Sequence, residues 1–363
     1  MRFTSPFALL PLSIFAFALA ACGGDPSQQN ESQANGAEKV EQASLAPDLQ
    51  PLPGQVSTIA FGSCNDQGKA QPFWQTIAAE RPDLWIWLGD NIYADTEDSL
   101  EMRRKYQQQL ANEHYRDFLN QVPIVGIWDD HDYGVNDGGR TYPAREMSKA
   151  LLMDFLSVPE GHPRRKHDGA YGSYNFGSGA KKLKVILLDT RYFREALAPN
   201  PDGATNYKPN DGSLLGKDQW QWLKEELQTD ARLVILGSSI QVLSPDHRFE
   251  KWNNFPEARQ RLLDMLRQSG LNVLLLSGDR HISEFSRLER GFDDPLYDFT
   301  SSGLTHAWTG DGIEANPLRE GPLIKAKNYG LIEIDWEAEP LQVKMYSKKL
   351  NGDVHHAITA RFR

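Results

Sequence analysis

Four short apolar runs in this chain stop abruptly on a small or acidic residue. Leu84–Leu88 runs into Gly89-Asp90, and Val56–Phe61 into Gly62-Ser63-Cys64-Asn65. Ile124–Trp128 runs into Asp129-Asp130-His131-Asp132, and Leu271–Leu276 into Ser277-Gly278-Asp279-Arg280-His281. A buried strand that ends this way presents a polar side chain at the carboxyl edge of a sheet, where α/β proteins keep their chemistry. Four such runs, bringing Cys, Asp, Asn and His to one rim, point to a metal site assembled from strand ends.

The rest of the pattern supplies the scaffold. Apolar spacing predicts helices over 72–80, 144–156, 216–227 and 256–267, and an amphipathic helical pair over 99–121. Tyr171–Phe176 and Leu183–Leu188 read as a hairpin, and Leu233–Leu236 as a further strand. The polar stretch 194–215 reads as a long surface loop over the site. After Leu276 the helices stop. Runs at 282–288, 296–301, 329–336, 341–346 and 354–360 alternate as antiparallel strands do. Mixed βα units followed by a β-rich tail predict an α/β fold of two sheets packed face to face with helices outside.

The N-terminus carries a different message. Arg2 precedes an apolar run from Phe7 to Ala21 that is too short to span a bilayer, and Leu19-Ala20-Ala21-Cys22 resembles a bacterial lipobox. Residues 1–22 are therefore expected to be a lipoprotein signal, with Cys22 lipidated and tied to the membrane. Gly23, rather than an aspartate, favours the outer membrane. Residues 23–54 hold few apolar side chains and are expected to form a disordered tether. The catalytic domain is expected over 55–363, in the periplasm or at the cell surface. A net charge of −10 with no Lys/Arg stripe argues against a nucleic-acid surface. Cys22 and Cys64 lie in contexts too different for a disulfide.

Hydrolysis of a phosphate ester at two metal ions needs hard oxygen ligands, at least one nitrogen or sulfur ligand, and a bridging carboxylate. The ions hold a hydroxide nucleophile and neutralise phosphoryl oxygens, while a histidine protonates the leaving oxygen. The strand ends offer Cys64, Asp90, Tyr93, Asp130, Asn136 and Asp279, with His131 and His281 nearby. Asp90 and Tyr93 are three residues apart, so one turn can aim both at one ion. Thiolate, phenolate and carboxylate together favour a Lewis-acidic transition metal such as iron. The all-oxygen set Asp130, Asn136 and Asp279 suits calcium, magnesium or manganese. Asp129 competes with Asp130 for the ligand role, Asn136 has a plain turn role as its alternative, and Arg191 has an ion pair as its own. Trp308, in a Gly/Thr-rich loop, is a candidate for the entrance.

Read in order, Phe61-Gly62-Ser63-Cys64-Asn65, Leu88-Gly89-Asp90-Asn91-Ile92-Tyr93, Trp128-Asp129-Asp130-His131 with Asn136, Leu188-Asp189-Thr190-Arg191, and Ser277-Gly278-Asp279-Arg280-His281 resemble the alkaline phosphatase D (PhoD-like) family of metallophosphatases. The resemblance covers roughly Val56 to Leu288. It implies a four-layer αββα metallophosphatase sandwich with two mixed sheets, and metal-dependent hydrolysis of phosphomonoesters or phosphodiesters. It implies iron (Fe3+) held by Cys64, Asp90 and Tyr93, with Asp90 bridging, and calcium held by Asp130, Asn136 and Asp279. His281 would be a further ligand or donor, His131 the acid or phosphate contact, and Arg191 a phosphate clamp. The chain leaves no room for the family's usual N-terminal β-domain, and its tail is unmatched, so substrate preference stays open. Two other readings compete: a metal-free esterase using Ser63, and a surface lipoprotein without turnover.

Overall fold

The computed structural model describes residues 45, 47, 49–201, 203–310 and 314–363. The expected signal, Cys22 and most of the expected tether lie outside the described residues.

Two mixed sheets carry the fold. The first has six strands, in the spatial order Val354–Phe362, Leu341–Lys348, Tyr329–Asp335, Thr58–Gly62, Leu84–Leu88, Ile124–Ile127. The last three of these run parallel, and Tyr329–Asp335 pairs antiparallel with Thr58–Gly62. The second has seven strands, in the order Arg319–Ile324, Ser283–Leu288, Leu296–Ser301, Val273–Ser277, Leu233–Ser238, Leu183–Leu187, Gly172–Phe176. Its four central strands from Leu296–Ser301 to Leu183–Leu187 run parallel. This is the expected αββα sandwich.

Period-two alternation shows how the layers form. In the second sheet Val185, Leu187, Leu233, Ile235, Leu274 and Leu276 face the first sheet and join its core. Their neighbours Ile186, Leu188, Val234, Leu236, Val273 and Leu275 pack outward against Trp220, Leu223, Leu262 and Leu266. Those last four lie on helices Gly216–Glu226 and Pro256–Ser269. Strands covered on both faces need near-continuous apolar runs, and that is why these read as buried. Across the sandwich Phe61 meets Phe299 edge to face, with ring centroids 4.8 Å apart. On the outer face of the first sheet, Trp85 and Trp87 pack on Trp74, and Trp87 also contacts Tyr115.

Three features differ from or add to the sequence reading. Described residues ahead of 55 touch the domain, where a free tether was expected. Leu45 is 1% exposed, Pro47 accepts a hydrogen bond from Ser157, and Gly54 accepts one from Gly177. A single apolar side chain finds a tertiary groove that composition does not reveal. The stretch 194–215 is not wholly a surface loop. It forms a small antiparallel ribbon, Ala198–Pro199 with Tyr207–Lys208, and buries Leu214 and Leu215. The edge strand Arg319–Ile324 was not read from the sequence, because Gly321-Pro322 interrupts it, and proline is tolerated only at such an edge.

The end of strand Leu84–Leu88 is tightly constrained. Gly89 has φ +94°, and a Cβ there would lie 2.3 Å from the Asp129 Cβ and 2.5 Å from its amide nitrogen. The substitution Gly89→Ala is expected to cost roughly 2–5 kcal/mol through strain and overlap. Denaturant unfolding checks this, with Gly54→Ala, which meets nothing within 4 Å, as the neutral control.

Candidate metal centre

Parallel pairing brings the strand ends together. Thr58–Gly62, Leu84–Leu88 and Ile124–Ile127 lie side by side, so Cys64, Asp90 and Asp130 emerge at one edge. Val273–Ser277 ends opposite them on the second sheet and contributes Asp279 and His281. The Asn65 amide donates to the Asp90 carbonyl at 2.9 Å and ties the first two turns. Cys64, Asp90, Asp279 and His281 all have left-handed φ, between 47° and 68°. Such conformations cost free energy for non-glycine residues and cluster where side chains must converge.

One group forms around Tyr93. Asp90 Oδ2 lies 3.4 Å from Cys64 Sγ and 3.2 Å from the Tyr93 hydroxyl, which is 3.1 Å from His281 Nε2. Donor atoms of Cys64, Asp90 and His281 all lie within 4.8 Å of one another. The same holds for Asp90, Asp130 and His131, and for Asp129, Asp130 and Asp279. Asp90 therefore joins the two halves of the site.

The second half differs from the expected set. Asp129 and Asp130 each place a carboxylate oxygen within 4.8 Å of Asp279, so the geometry admits both as donors. Asp129 Oδ1 pairs with Arg191 Nε at 2.5 Å, while its buried Oδ2 has no hydrogen-bond partner. Asn136 lines the same cavity but is exposed, and its Nδ2 donates to Asp137 at 3.0 Å. Arg191 is fully buried between Asp129 and Glu250, each 2.5 Å away, and does not line the cavity. The expected phosphate clamp is thus a buried ion pair that orients Asp129. Asp132 accepts from the amides of Asp90, Asn91 and Asp129, and so fixes both turns.

His131 reaches the rim with Nδ1 2.8 Å from both Asp95 oxygens. Burial opposes its charge, but the Asp95 hydrogen bond and the Asp90 and Asp130 carboxylates raise its pKa to about 10. His281 is lowered to about 3 by burial, His306 and Arg280. His306, lowered to about 4 by burial and Lys69, lies 3.0 Å from the Tyr93 hydroxyl. Sequence reading missed His306, Glu250 and Asp95. His306 follows Gly303-Leu304-Thr305, where no periodicity marks it, and only its nearness to Trp308 hinted at a site.

Burial pushes the Asp90 and Asp279 carboxyls up, and neighbouring carboxylates add to it: Asp130 for the first, Asp129 and Asp130 for the second. The Cys64 thiol rises through burial, Asp90 and Asp279. Crowded acids of this kind resist joint ionisation until a cation neutralises them. A soft thiol, a phenol, imidazole and carboxylates on one side, and three carboxylates on the other, fit two ions of different hardness. A group pushed up keeps its proton to higher pH, and an incoming ion must displace it. Ion affinity is therefore expected to fall as pH falls, by about tenfold per unit for each proton displaced. Titration calorimetry in buffers of different ionisation enthalpy reads the released protons, and pH-independent binding would overturn the expectation.

Above the donors lies a cavity of about 270 Å³. Tyr207, Phe249 and Trp308 wall it, and the Trp308 amide donates to the His281 carbonyl at 2.8 Å. Arg280, also at the wall, stacks 4.2 Å above Phe249 and pairs with Glu314.

Comparison with known proteins agrees with this geometry. A family model described as PhoD-like phosphatase matches residues 59–339. The fold is similar to the solved structure of PhoD, at 21% identity and TM-score 0.69, over 86% of this chain and 70% of that one. It is also similar to purple acid phosphatase PPD1 from yellow lupin (Lupinus luteus) seeds, at 13% identity and TM-score 0.59, over 86% and 55% of the two chains. A dimetal phosphatase from Danio rerio matches at 14% identity and TM-score 0.54, over 85% of this chain and all of that one. A search of curated proteins returned no match.

Proposed function

We propose, because this chain belongs to the PhoD-like phosphatase family, that its metal-dependent hydrolysis of phosphoric esters takes place in the cavity above Asp90, Asp130, Asp279 and His281. The observation that carries this is the convergence of Cys64, Asp90, Tyr93 and His281 beside the Asp129, Asp130 and Asp279 carboxylates. Iron is our reading for the first group, on the strength of thiol and phenol donors, and calcium for the carboxylate group. When bound, such ions polarise phosphoryl oxygens and make water acidic enough to act near neutral pH.

The chain's own groups do the rest. Asp90 spans both groups and sets their spacing. Arg191, held by Glu250, orients Asp129. His131 has its Nδ1 committed to Asp95, which leaves Nε2 to donate a proton to the leaving oxygen. Tyr207, Phe249 and Trp308 present an apolar wall to the group esterified to phosphate. The signal-like run ahead of Cys22 supports a lipid-anchored protein of the periplasm or cell surface. Among the described residues no helix is long and apolar enough to cross a membrane.

Assays with aryl phosphate and bis-aryl phosphate test the reading. Turnover is expected to vanish in excess chelator and to return with iron and calcium. Ser63 is fully buried, with its Oγ 3.5 Å from Cys64 Sγ, so the serine-esterase reading finds no base beside it. Ser63→Ala is expected to keep turnover within about tenfold, since no nucleophile is removed. Loss of all activity in that variant, or turnover that chelator leaves untouched, would overturn the proposal.

A further inference from the structure

The Tyr93 hydroxyl lies between two imidazoles. His281 Nε2 is 3.1 Å away, His306 Nε2 is 3.0 Å away, and the two nitrogens are 3.1 Å from each other. The three atoms form a nearly equilateral triangle. Ligands about 2.1 Å from one ion and at right angles to each other stand about 3.0 Å apart. The triangle therefore has the dimensions of one face of a coordination shell. Without an ion the phenol can donate to one nitrogen or to Asp90 and accept from the other imidazole, so hydrogen bonds hold in place a triangle whose dimensions an ion can use.

The loop behind His306 aims it. Leu304 and Thr305 donate from their amides to the carbonyls of Ser63 and Cys64, which stitches the loop to the cysteine turn. The Thr305 hydroxyl is within reach of three groups: the Asp66 amide at 2.8 Å, the Cys64 carbonyl at 3.0 Å and His306 Nδ1 at 3.0 Å. The amide only donates and the carbonyl only accepts. With the hydroxyl hydrogen on the carbonyl, the network assigns a hydrogen to His306 Nδ1 and a bare lone pair to Nε2. That lone pair faces Tyr93 and His281.

We propose that His306 Nε2 is a direct donor to the first metal ion, alongside Tyr93 and His281. The proposal deepens the reading of the site given above and rests on it. His306→Ala and the shape-conserving His306→Gln, compared with wild type as purified holoprotein, test it with iron as the probe. Elemental analysis and competition with a chelator are expected to show iron held about 10- to 100-fold more weakly in both variants, with calcium unchanged. X-ray absorption at the iron edge is expected to show one imidazole fewer in the shell, which a purely structural role would not produce. Wild-type protein that retains no ion overturns the site reading together with this proposal. Wild-type protein that retains both ions, beside variants with equal iron affinity and an equal imidazole count, overturns this proposal alone.

Discussion

Asp90→Asn is expected to lower kcat/KM by at least about a thousandfold, since Lewis-acid stabilisation contributes several kcal/mol and each 1.36 kcal/mol is a factor of ten. The substitution keeps the shape of the side chain, and asparagine tolerates the left-handed backbone at φ 47°. What it removes is the charge that both donor groups share: Oδ2 faces Cys64 and Tyr93, while Oδ1 accepts from the His131 amide at 3.3 Å. Turnover of bis-aryl phosphate and the metal stoichiometry of the purified variant measure the effect. A second outcome separates function from folding. In excess chelator the variant should unfold at a temperature no lower than wild type, because a charge crowded by Asp130 and Asp129 has gone. Two retained ions with turnover within tenfold of wild type would sink the assignment of Asp90 as the shared ligand.

Arg191→Ala carries the largest expected cost to stability, about 3–5 kcal/mol. Its guanidinium stands between Asp129 and Glu250, and all three side chains are 0–1% exposed. Truncation leaves two carboxylates buried without their shared cation, although Arg194 still lies 2.9 Å from Glu250. Denaturant unfolding with metal present measures the loss. A role in clamping phosphate would give a different result: Arg191→Lys would raise KM and leave stability unchanged.

What could be read from the residues follows physical lines. The strands ending at Cys64, Asp90, Asp130 and Asp279 were legible because an apolar run that stops on a polar residue leaves the same mark in any sheet covered on both sides. The order of the motifs then carried the family. His306, Glu250 and Asp95 were not legible. Each sits in an aperiodic loop, and its partner is distant in the chain: Tyr93 for His306, Arg191 for Glu250, His131 for Asp95. Nothing local distinguishes such residues from solvated loop positions. The same holds for Leu45, which is buried in the main core although nothing around it in the sequence is apolar enough to mark it. Asn136, read from its motif position, does line the cavity, with its Nδ2 donating to Asp137.

The donors come from both halves of the sandwich: Cys64, Asp90 and Asp130 from the six-stranded sheet, Asp279 and His281 from the seven-stranded one. A bound pair of ions therefore acts as a rivet between two plates. Any slip of one plate over the other changes the gap the ions must bridge. A chain folded in a metal-poor medium is therefore expected to be a looser object, more open to proteases, than the same chain folded where its ions are plentiful.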